Sequence, residues 1–195
     1  MATAVELLRR ERQRKMQVRE SFNAGLAHFR GQGGEPGPFY LACADYLVHG
    51  QQRLIDQDRR LVDILAPRVP AAQAEDHRAM QALRERLDLG ATSLGEFQQA
   101  TGRYRQAGQS GRADFEAAAI RFIDVLVNVL GARSHSLRHL TSTLLTDADW
   151  QRIVATTEEF IDAEAAAFAA IGRLAPPGLA PEQMAAGVAQ SRQGS

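Results

Sequence analysis

Lysine is almost absent from this chain: Lys15 stands alone against 22 arginines, and there is one cysteine, Cys43. A single thiol excludes an internal disulfide and suits a reducing compartment. Neither sign of charge is in excess, with 23 basic side chains against 23 acidic ones. Without a net field, nothing steers the chain toward nucleic acid or an anionic membrane. No apolar run approaches the ~20 residues of a membrane span. The N-terminal region carries the charged run Arg9-Arg10-Glu11-Arg12 and lacks the apolar stretch of a secretion signal. The expectations are a cytoplasmic location and neither nucleic acid nor membrane as partner.

What is present is enough for a core, since 45% of the 195 residues are apolar. Prolines and glycines cluster at 31–38, 67–70, 108–111 and 176–178, and every long segment between them has helical period, with none alternating like a strand. The pattern predicts helices near 3–30, 39–66, 72–107, 112–145 and 148–173. The third should break near 91–93, where Ser93 and Glu96 form a capping-box pattern. The fold class expected is all-α, an antiparallel up-and-down four-helix bundle over 39–174. Residues 1–32 form an extra accessory helix, and 175–195 a flexible tail rich in Ala, Gly, Pro and Gln. The first helix has only a thin apolar line, Leu8, Val18, Phe22, Leu26 and Phe29, which suits an arm packed on the bundle or on a second copy in a homodimer.

Phasing each helix at about 100° per residue sorts its polar residues into inward and outward sets. The second helix has the stripe Tyr40, Ala44, Leu47, Leu54, Leu61, Leu65, with Gln51 and Asp58 in its middle. The fourth runs Phe115, Ala119, Phe122, Leu126, Leu130, Leu137, Leu140, Leu144, interrupted at Arg133. In the fifth, Thr157 and Glu164 fall on the line of Trp150, Ile153, Phe160, Phe168 and Ile171. Charges in a core must satisfy one another. The expectation is a buried network of Asp58, Arg133 and Glu164 with Gln51 and Thr157 as neutral partners. It either fixes helix register or lines a pocket in which Arg133 receives a small anion or the carboxylates a cation. His135 and His139, at i and i+4, have the spacing of a metal pair, but their phase places both outward. No nucleophile elbow, phosphate loop or cysteine cluster is present, so nothing in the sequence points to an enzyme.

The turn Leu144-Leu145-Thr146-Asp147-Ala148-Asp149-Trp150, between Phe115 and Phe168, resembles the closing hairpin of hemerythrin-like domains. Gln57-Asp58-Arg59-Arg60-Leu61 is similar to their opening helix, with Asp58 where an inward histidine would stand. The resemblance covers 39–173. It implies a bundle whose di-iron site has been lost, with Arg133 replacing the positive charge of the metal; iron bound among the remaining carboxylates is the alternative it leaves. The missing catalytic constellations, the poorly amphipathic first helix and the tail, rather than this resemblance, point to a non-enzymatic binding or scaffold module. A second, local likeness links Ile55–Arg68 to the first helix of all-α chorismate mutases, which also need a pocket lysine. Lys15, the chain's only lysine, lies in an unrelated segment.

Overall fold

The computed structural model describes residues 3–32, 34–130 and 137–184, and among these every regular element is helical. The elements are α1 (Ala4–Gln32), α2 (Gly37–Leu65), α3 (Ala74–Ala107), α4 (Arg112–Val125), a π-turn (Leu126–Leu130), α5 (Arg138–Leu144), α6 (Asp147–Val154) and α7 (Glu158–Leu174). No helix among the described residues is long and apolar enough to cross a membrane.

Successive long helices pack antiparallel. Glu11 of α1 meets Arg53 of α2 while Phe29 meets Phe39. Arg105 and Asp88 of α3 reach Asp45 and Arg59 of α2. Phe97 and Tyr104 of α3 stack on Phe122 and Phe115 of α4, each pair with ring centroids 4.6 Å apart. At Gly25 of α1 the ring of Phe39 fills the space a Cβ would take, so the α1–α2 crossing is set by that glycine.

The thin apolar line of α1 goes to the centre of this packing. Val18 and Phe22 are 0% exposed, and Phe22 sits among Tyr40, Phe97 and Phe115. The first helix is thus packed against α2, α4, α6 and α7. A separate apolar cluster closes the other end, where Leu61, Val62 and Leu65 of α2 meet Met80, Leu140 and Ile153.

Three predicted boundaries differ from the observed ones. The third helix runs unbroken through 91–93: Gly90 is accommodated because Leu130 packs against its bare Cα, and Gly95 meets nothing. The fourth gives way to the π-turn after Val125. The fifth is two helices. Ala155 turns left-handed at φ 43° and ends α6, and Thr157, in extended conformation, starts α7 by accepting a hydrogen bond from the Phe160 amide. The break is held by α2, whose side chains take the carbonyls that α6 leaves open. Arg53 donates to Val154 O at 2.7 Å, Arg60 to Ile153 O at 3.0 Å and Gln57 to Val154 O at 3.3 Å. Residues 175–184 continue over α1, where the Ser21 hydroxyl donates to Leu179 O. Residues 185–195 of the expected tail lie outside the described residues.

Candidate functional site

Along α1 the positions 8, 12, 15, 19, 22 and 26 alternate steps of four and three, the spacing of a helix seam. Leu8, Phe22 and Leu26 occupy its ends, and Arg12, Lys15 and Arg19 its middle. The α2 seam has the same form, with Gln51 and Asp58 between Leu47 and Leu61. Because the two helices are antiparallel, the polar middles of both seams meet. Lys15 Nζ donates to Gln51 Oε1 at 2.5 Å, and Arg12 Nη2 to Asp58 Oδ1 at 3.0 Å. Gln51 is 3% exposed, so its amide is buried, while Lys15 has intermediate exposure.

These groups border a cavity of about 260 Å³ between α1, α2, α3 and the π-turn. Arg12, Lys15, Arg19 and Arg86 line it together with one carboxylate, Asp58, and the walls are completed by leucines including Leu126 and Leu130. Arg19 is shared with Glu20 at 2.5 Å. Burial acts on both members of the central pair. It pulls the Lys15 ammonium down to about 7, assisted by Arg12 and opposed by Asp58, and it pushes the Asp58 carboxyl up despite Arg12 and Lys15. Both groups are shifted toward their neutral forms.

Glu164 belongs to a different network. Its carboxylate receives the Tyr46 hydroxyl and the Arg14 guanidinium, which also stands 5.2 Å from the centroid of Phe168. Burial, reinforced by the bond to Glu164, raises the Tyr46 phenol well above its usual value. Beside this network, between α1, α2 and α7, lies a cavity of about 500 Å³ walled by small residues such as Ala42, Ala163 and Ala167. Its polar side chains include Glu11, Lys15 and Arg53, so Lys15 borders both cavities.

Among the described residues, Asp58 pairs with Arg12 and Glu164 with Arg14, both cations of α1, and both pairs are partly buried. Thr157 is exposed and acts as the cap of α7. Arg133 and His135 lie outside the described residues. His139 is exposed and pairs with Asp76 at 3.0 Å. Among the described residues, no three His, Cys, Asp or Glu side chains gather as metal ligands would.

Two further ion clusters were not anticipated. Glu116 of α4, 7% exposed, accepts from Tyr40 at 2.9 Å and from Arg112 at 2.7 Å. Burial pushes its carboxyl up, but the bonds from Arg112 and Tyr40 outweigh it and hold it below the usual value. Asp149 closes the capping box with Thr146 and binds Arg68 through both oxygens, at 2.6 and 2.8 Å. No family model matches the chain, and no curated protein or solved structure matches it either.

Proposed function

We propose that this protein is a non-enzymatic helical binding module that holds a small anion in the cavity between α1, α2 and α3. One observation carries the reading: four cationic side chains, Arg12, Lys15, Arg19 and Arg86, border a half-open cavity with a single carboxylate, Asp58, on its wall. Guanidinium groups in a partly dry site present forked donors to a carboxylate or phosphate, and an anion there would join the pairs that Arg12 and Arg19 make with Asp58 and Glu20. A π-turn at the cavity wall adds support, because such turns are frequent at functional sites. In this reading α1–α4 form an up-and-down four-helix bundle, α5–α7 are laid along it, and the protein works in the cytoplasm.

Calorimetric titration with inorganic phosphate, sulfate and malonate is the test. Binding that weakens with salt and falls about tenfold in Arg12→Gln, the loss of one charge-assisted hydrogen bond, is expected. Absence of heat with all three anions at millimolar concentration would discard the reading. The hemerythrin-like relation, with cations standing in for a lost di-iron centre, is compatible with this module; stoichiometric iron in tag-free protein would favour the metal alternative instead.

A second reading rests on Lys15. The likeness of 55–68 to chorismate mutases asks for a pocket lysine near that helix, and Lys15 reaches Gln51 one heptad from Asp58. The cavity would then take a dicarboxylate and rearrange it. Turnover of chorismate by the purified chain decides, and its absence removes this reading.

A further inference from the structure

Lys15 is the only lysine of the chain, and unlike the arginine side chains around it, which stay charged at any ordinary pH, it can give up its proton. A chain that otherwise uses arginine throughout places it where α1, α2 and α3 enclose a cavity. Its amine is tethered to the buried amide of Gln51, and Arg12, Arg19 and Arg86 stand around the same space. We infer that the anion held in this cavity carries a carbonyl group, as a 2-oxo acid does, and that Lys15 bonds to it covalently as an imine. The inference rests on the anion-binding reading and names its ligand class.

The chemistry follows from the neighbours. A lysine desolvated beside other cations is the form in which an amine becomes a nucleophile near neutrality, and here burial and Arg12 bring Lys15 to about 7. The cations hold the carboxylate of the ligand, which places the adjacent carbonyl carbon beside the amine. The N–C bond forms, the carbonyl oxygen leaves as water with the two amine hydrogens, and no oxidant or reductant is consumed. Asp58 is the carboxyl on the cavity wall, and burial raises its proton affinity, so it supplies and recovers the proton that the departure of water requires. Gln51 Oε1 accepts an amine hydrogen and orients the lone pair.

The test uses the full chain with pyruvate as probe and borohydride to fix any imine, followed by peptide mapping. The map separates the Lys15 peptide from the reactive N-terminal amine. Lys15 should gain one reduced pyruvate, lactate should suppress the labelling in competition, and Arg12→Gln should lower it about tenfold at limiting pyruvate. Lys15→Arg keeps the charge and should still bind lactate in titration while losing the label. Labelling confined to the N-terminus, or a Lys15 label indifferent to lactate and to Arg12, overturns the inference. If lactate binds and Lys15 stays unlabelled, anion binding survives and the imine does not. If neither lactate nor pyruvate binds, both fall.

Discussion

Phe22 and Lys15 stand one heptad apart on the same seam of α1, and the surroundings they meet are opposite in kind. Phe22 is fully buried among rings, with Tyr40 edge-on at 5.8 Å and Phe115 at 6.1 Å. Lys15 meets Gln51, Asp58 and three guanidinium-bearing neighbours around an open volume. Close-packed aromatic contact stabilises without regard to pH or salt. A partly dry charged layer contributes little net stability, because desolvation offsets the Coulombic gain. The comparison teaches that the helices are held at their aromatic end and that the charged middle adds little to that hold.

The contrast is sharpest in truncation. Phe22→Ala should cost about 3–5 kcal/mol, the range for emptying a filled aromatic site, read as a drop in the urea midpoint with unchanged anion binding. A loss under about 1 kcal/mol would show that the aromatic end is not the anchor.

The charged middle breaks differently, through pH. The folded-state value of Lys15 is lowered from 10.5 to about 7. Below 7 both states carry the charge and the burial penalty is present in full. Between 7 and 10.5 only the unfolded chain keeps the proton, so folding is favoured progressively as pH rises. Wild-type stability measured against Lys15→Met should therefore climb through this window, at up to about 1.4 kcal/mol per pH unit. Taking the difference isolates Lys15 from Arg12, Arg19 and Arg86, which stay charged. A flat difference would mean that the amine is solvated, and both the charged layer and the imine chemistry would lose their basis.

The helical class, the helix-rich segments and the inward place of Gln51 were legible because heptad spacing on α2 is continuous from Tyr40 to Leu65. The same operation on α1 yields Arg12, Lys15 and Arg19 between Leu8 and Phe22. They went unread because a thin apolar line among many charges looks like an accessory surface when its partner is unknown. Among the described residues, Asp58 and Glu164 take cations from α1, and Arg133 lies outside those residues. The split between α6 and α7 was hidden for another reason. Ala- and Glu-rich sequence continues across Ala155 and Thr157 with no proline or glycine, and the break is stabilised by Arg53, Gln57 and Arg60, about a hundred residues earlier. Long-range capping leaves no local mark. The pairing of Glu116 with Arg112 is the exception among the ion clusters, since its i, i+4 spacing stands in the sequence.

The smallest expected effect tests that split. If Thr157 faced inward on one continuous helix, replacing it would remove a polar group from the central layer and alter anion binding. In the structure its hydroxyl instead accepts the Phe160 amide at 3.2 Å at the exposed start of α7. Thr157→Ala should then cost about 1 kcal/mol, the ordinary worth of an N-cap, with faster amide exchange at Glu158–Phe160 and no change in anion affinity. Thr157→Ser, which keeps the cap oxygen, should restore stability to near wild type. Altered anion binding in Thr157→Ala with unchanged exchange at the α7 start would return Thr157 to the polar layer and join α6 and α7 into one helix, erasing the distinction between a charged middle bordered by α1 and one completed by the last helix.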